Sequence, residues 1–184
     1  CISKGLPTWG RNYVMNTARI FSALHNIVEA YSTRLNMISE EQFKTTPPIG
    51  GWSYSEVYCH IFDASILSVD AVMACLDGKG EHKPTAFMAR LILFAGAFPP
   101  GMKFKVPKRL ESRVKIISKS EARDLIEQFR NKLAPNESRM EQASSTVKTA
   151  HPRLGYLNAK QWLRFIEVHL NHHLKQLQRI EKSF

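Results

Sequence analysis

A chain of 184 residues with 43% hydrophobic and 23% charged residues suits one domain with a real core, which excludes disorder, collagen-like repeats and low complexity. Its 26 Lys and Arg against 16 Asp and Glu give a formal charge of +10, which favours acidic ligands, nucleic acid or anionic membranes without choosing among them. Three cysteines, Cys1, Cys59 and Cys75, are too few for a disulfide framework and match no zinc-ribbon spacing, so a reducing, cytoplasmic setting is expected.

Residues 1–14 hold Gly5, Pro7 and Gly10 without helical periodicity and read as an N-terminal tail or extension. Residues 15–184 read as a single domain. Ile20, Phe21, Leu24, Ile27, Val28, Tyr31 and Leu35 recur at three- and four-residue steps and predict an amphipathic helix over 15–37. Two prolines and two glycines in 45–52 force a turn. Ser53-Tyr54-Ser55-Glu56 is a capping box, and Val57, Ile61, Ala64, Ser68, Ala71, Val72 and Cys75 continue a helical stripe to Gly78. A short apolar helix is predicted over 86–97. The apolar run 91–99 is broken by Gly96 and ends in Pro99, too short for a membrane span.

An irregular connection then runs through Pro107, and segment 103–119 is strongly basic. A second capping box, Ser118 to Glu121, opens a helix whose apolar residues Ala122, Leu125, Ile126, Phe129 and Leu133 lead to Pro135. His151-Pro152-Arg153-Leu154-Gly155 predicts a turn. Asn158 with Gln161 three residues on opens the last helix, expected to run to about Lys182. Short alternations at 103–106 and 113–117 cannot anchor a sheet. The expected fold is all-α: a four-helix bundle with a short extra helix and one long crossover connection.

The last helix carries the most informative pattern. Trp162, Ile166, His169, His173, Gln176 and Ile180 alternate steps of four and three, which makes an inward seam. His169 and His173 stand one turn apart on one face, a spacing that can chelate a single ion. His172 lies beside the seam and competes with His173, which makes the more regular stripe. On the second long helix His60 falls one turn after Glu56 among Val57, Ile61 and Ala64, so it also faces inward. Each buried imidazole left without a partner costs about 1–3 kcal/mol, which a shared divalent ion would relieve. Spacing alone leaves a second reading open, that of histidines bonded within the core.

Trp52-Ser53-Tyr54-Ser55-Glu56-Val57-Tyr58-Cys59-His60-Ile61 resembles the W-S-x-x-E-v-x-x-H-l segment of the DinB-like superfamily. His169-Leu170-Asn171-His172-His173-Leu174-Lys175-Gln176-Leu177 resembles its H-x-x-H-H-x-x-Q-l segment, and the likeness spans roughly residues 15–182. The resemblance implies a four-helix bundle of DinB-like type with a divalent metal, commonly zinc, nickel, iron or manganese, held by His60, His169 and His173. Some relatives are thiol-dependent transferases or isomerases using low-molecular-weight thiols, and others look like metal-dependent hydrolases. The basic insertion between Gly78 and Lys119 is a departure from the family pattern.

Three neutral nitrogens leave a divalent ion its charge, so bound water or a thiol becomes a nucleophile near neutral pH. Gln176, three residues after His173, is a candidate to orient a ligand. Glu56 is a candidate proton acceptor, although its place in the capping box points to a structural role. Asp63 either supports His60 or sits at the surface, while Cys59 points away from His60 toward packing. Trp52, Trp162 and Phe165 are pocket-wall or core aromatics, and His25 and His151 read as non-catalytic.

Lys103, Lys105, Lys108, Arg109, Arg113 and Lys115 either guide an anionic thiol or form a solvated face. The expected activity is metal-dependent transfer or hydrolysis on a small molecule. The alternatives are a bundle that metal merely stabilises and a basic nucleic-acid-binding module. Nucleic acid is the less favoured partner, because no recognition motif or stacking pattern accompanies the basic segment. A homodimer is compatible with the exposed helix faces.

Overall fold

The computed structural model describes residues 15–99 and 112–184. The tail assigned to residues 1–14 and the basic positions Lys103, Lys105, Lys108 and Arg109 lie outside the described residues. Six α-helices occur among the described residues: α1 (Thr17–Met37), α2 (Glu40–Lys44), α3 (Tyr54–Leu76), α4 (Phe87–Ala95), α5 (Lys119–Leu133) and α6 (Ala159–Glu181). The long helices α1, α3, α5 and α6 make the bundle, and α4 is the short extra helix.

Local chemistry sets where these helices begin. Asn16 accepts the amide of Arg19 at 3.0 Å to open α1. Complete capping boxes, Ser53 with Glu56, Ser118 with Glu121 and Asn158 with Gln161, open α3, α5 and α6. Gly50 and Gly51, at φ 73° and 84°, turn the chain between α2 and α3. Helix α2 was not expected; Ser39 caps its single turn and seats Phe43, fully buried, against the ring of Tyr58.

The buried side chains form one continuous cluster. Tyr31, Tyr58, Phe62 and Phe129 meet at its centre, with Tyr31 edge-on to Tyr58 and Phe62 at centroid distances of 5.5 and 5.2 Å. Two buried hydroxyls bind helices together: Tyr58 donates to the Tyr31 carbonyl at 2.8 Å, and Tyr31 donates to the Leu170 carbonyl at 2.7 Å. Helix α3 packs on α2, α5 and α6 and is buried around most of its circumference, more than the single stripe expected of it. Its length and mean hydropathy of 1.6 would suit a membrane span, but half of that window is buried in the bundle.

The chain is mostly helical, as expected of an all-α bundle, with one small sheet besides. Residues Lys148–His151 (β1) and Gly155–Asn158 (β2) form an antiparallel hairpin, with His151 opposite Gly155. Four-residue strands carry too little alternation to stand out, and their stability comes from what they touch. Gly155 takes φ 74° at the end of the three-residue loop, and the amides of Arg153 and Leu154 donate to Nδ1 of His151 at 3.1 and 3.0 Å. Thr149 accepts from the indole of Trp162 at 2.8 Å, which fixes the hairpin to α6. The 113–117 stretch is not a strand: it runs along α3, where Ile117 exchanges two hydrogen bonds with the Ser55 hydroxyl.

Candidate metal centre

The capping box that starts α3 fixes where the helix begins, and its buried residues set which side meets α6. Two turns later His60 faces α6, and α6 presents His169 and His173 in return. One ligand nitrogen from each histidine lies within 4.8 Å of the other two. Nε2 of His169 and Nε2 of His173 are 3.1 Å apart, and the His60 ring stands 5.4 and 5.0 Å from those of His169 and His173, centroid to centroid. The His172 side chain is exposed and is not among the clustered nitrogens, so the structure separates it from His173.

Burial holds all three imidazoles neutral. It lowers His60 to about 4, with Asp63 opposing weakly. It lowers His173 to about 3, aided by repulsion from His60, and takes His169 well below its ordinary value with the same help from His173 and His60. Neutral rings keep the lone pairs that a metal needs. Gln176 Oε1 lies 2.8 Å from Nδ1 of His173. With that oxygen accepting, the proton sits on Nδ1 and the lone pair of Nε2 faces His169.

The donor set suits a divalent cation. Two nitrogens bound to one tetrahedral zinc at about 2.0–2.1 Å stand about 3.3–3.4 Å apart. The His169–His173 separation of 3.1 Å is already close to that. The bound of 4.8 Å leaves at most about 1.5 Å for side-chain rotation to close.

Aromatic rings surround the cluster. Trp52 lies 5.1 Å from His60, and Phe165 stacks on His169 at 5.3 Å and an interplanar angle of 25°. Trp162 packs on Phe165 rather than on a clustered histidine. Phe98, three residues beyond α4, sets its ring edge-on to His169 and His172 at 6.4 and 5.2 Å. No sequence signal singled out Phe98, because it falls after the helix, where periodicity has ended. His151 packs on Trp162 and Phe165 at 5.0 and 4.5 Å, behind His169.

The other candidates have different work. Glu56 Oε2 accepts from the amide and hydroxyl of Ser53, both at 2.9 Å, which is its capping role. Asp63 binds the Arg113 guanidinium through both carboxylate oxygens. The buried Cys59 thiol donates to the Arg113 carbonyl at 3.3 Å, and burial pushes its pKa up, so it is not a poised thiolate. His25 is on the exposed face of α1. A cleft of about 450 Å³ between α3 and α5 is lined by Cys59, Asp63, Arg113 and Glu121, and none of the three clustered histidines borders it.

The family model of the DinB superfamily matches residues 23–177, which takes in all three clustered histidines. The chain belongs to the DinB superfamily. A solved structure, TT2238, described as a four-helix bundle protein, is similar at a TM-score of 0.56 and 18% identity. The similarity covers 89% of this chain and 98% of that one, and at this identity it speaks for the fold. No curated protein matches. Within this DinB bundle, the three histidines could hold a metal ion.

Proposed function

We propose that this DinB-superfamily protein is a divalent-metal-dependent enzyme whose ion is held by His60, His169 and His173. The observation that carries the reading is the convergence of three neutral imidazoles from two facing helices within 4.8 Å. Ordinary core histidines bond to nearby backbone, whereas His169 and His173 turn their Nε2 atoms toward each other. A divalent cation bound there supplies Lewis acidity toward a thiol or a water molecule.

The chain's own residues do the rest. Gln176 fixes the ring orientation and tautomer of His173. Phe165 and Trp52 hold the His169 and His60 rings from outside and exclude water around them. We place transfer of a low-molecular-weight thiol to a small electrophile ahead of hydrolysis, on the resemblance to thiol-dependent relatives. Three protein ligands, rather than four, are the donor count of a catalytic centre that admits substrate.

The test is elemental analysis of untagged wild type and His169→Ala at matched folding. Near-stoichiometric metal in the wild type and its loss in the variant support the centre, and thiol-adduct and hydrolysis assays with that metal then choose the reaction. A folded wild type that takes up no zinc, nickel, iron or manganese would refute the reading.

A further inference from the structure

The imidazole of His151 has one nitrogen in use and one to spare. Nδ1 accepts the amides of Arg153 and Leu154 at 3.1 and 3.0 Å, so the ring is the tautomer that carries its proton on Nε2. The two nitrogens of an imidazole point nearly opposite ways, and Nε2–H is therefore directed away from the turn. Among the described residues no acceptor lies within hydrogen-bond reach of it. The fully buried side-chain atoms left without a partner among those residues are Nε of Arg34 and Oγ of Ser65, and Nε2 of His151 is not one of them. A donor that is neither paired nor sealed off is open to a small molecule.

A neighbour shows what packing alone requires. Nε1 of Trp162, whose ring lies 5.0 Å from that of His151, is satisfied within the protein by Thr149. His151 is held between Trp162 and Phe165, yet its donor is left over. Its surroundings indicate what the donor serves. Phe165 is 4.5 Å from His151 and 5.3 Å from His169, so the two histidine rings are less than about 10 Å apart, a span that a small ligand bridges. A charge on His151 would be felt at His169 and would oppose protonation there. Burial lowers His151 to about 4, so at neutral pH it offers a hydrogen bond without a charge. An uncharged donor beside apolar rings suits an uncharged carbonyl oxygen better than a carboxylate, whose desolvation it would not offset.

We propose that Nε2 of His151 binds a carbonyl oxygen of the molecule that reacts at the histidine cluster, at a point removed from the atom on the metal. The proposal rests on the metal-centre reading and adds a substrate class to it. That class is a small molecule that extends along α6 past Phe165 and carries an amide or ester carbonyl. His151 selects this molecule and takes no proton from it.

The probes are mercapto amides with two to five methylene groups and alkanethiols of matching length, titrated into the cobalt-loaded full chain. Binding is read from the thiolate-to-cobalt absorption band. His151→Asn keeps an acceptor for the turn and removes the Nε2 donor, whereas His151→Gln keeps an N–H near the position of Nε2. At the best length the Asn variant is expected to bind the amide about three- to ten-fold more weakly, the loss of one neutral hydrogen bond, with alkanethiol binding unchanged. The Gln variant is expected to keep its amide binding. A nitrogen-15 histidine spectrum of metal-free wild type is expected to place the His151 proton on Nε2. A proton on Nδ1, unchanged amide binding in His151→Asn, equal weakening of amides and alkanethiols, equal loss in the two variants, or cobalt protein that binds none of the probes would each overturn the proposal. Wild type that takes up no cobalt would refute the metal centre itself, and the proposal with it.

Discussion

At His151 two backbone amides donate to Nδ1 and two aromatic rings enclose the imidazole, and burial lowers its pKa from 6.5 to about 4 with help from Arg153. The consequence for stability has a definite sign. Above pH 6.5 the ring is neutral in the folded and unfolded chains alike, and its folded contacts stabilise fully. As pH falls from 6.5 toward 4 the unfolded chain takes the proton first, and on the order of 2–3 kcal/mol is lost. His151→Asn keeps an acceptor for the turn and removes the titration, so its denaturation midpoint should fall less between neutral and acidic pH than that of the wild type. Equal falls would show that His151 does not contribute to acid sensitivity. At Gln176, replacement by Leu should leave the fold in place and lower metal affinity about 10–100-fold, because His173 loses the acceptor that fixes its tautomer. A competition titration with a chelating dye reads that change.

Among the elements, those with strong local chemistry were the legible ones. The capping boxes at Ser53, Ser118 and Asn158 mark the starts of α3, α5 and α6 in sequence and in structure. The seam of α6 was readable because Trp162, Ile166, His173 and Ile180 keep helical phase and all are buried. The β1–β2 hairpin was not readable, since it depends on Thr149 meeting Trp162 and on the turn around His151, contacts that strand propensity does not encode. The short helix α4 supplies a test at this scale. It ends at Gly96, φ 67°, where a Cβ would meet Nη2 of Arg164 at 2.4 Å. Gly96→Ala should therefore cost about 1–2 kcal/mol through the left-handed backbone and the displaced guanidinium. Hydrogen exchange should show faster opening of α4 in the variant, with the α1 and α3 amides nearly unchanged.

For the whole molecule, the bundle, the convergence of helices α3 and α6 and the aromatic walls at Trp52 and Phe165 could be anticipated from periodicity together with the resemblance, while the contact of Phe98 could not. Phe98 reaches His169 and His172 from beyond the left-handed Gly96 that ends α4, where periodicity gives no signal. A ligand that binds the folded state alone stabilises the entire fold by mass action, about 2.7 kcal/mol at one hundred times its dissociation constant. Zinc or nickel added to metal-free wild type should therefore raise the melting temperature, and His169→Ala should melt at one temperature with or without the ion. The tyrosine pair has a further mechanical consequence. Tyr58 is two residues before His60, and the Leu170 carbonyl is one residue after His169, so the chain of bonds from Tyr58 through Tyr31 to Leu170 indexes α3 and α6 against α1. A slip of one helical turn along either axis would break a buried hydrogen bond as it moved the histidines apart. The distance between the two halves of the histidine cluster is thus tied to a pair of buried hydrogen bonds that act as a stop against sliding.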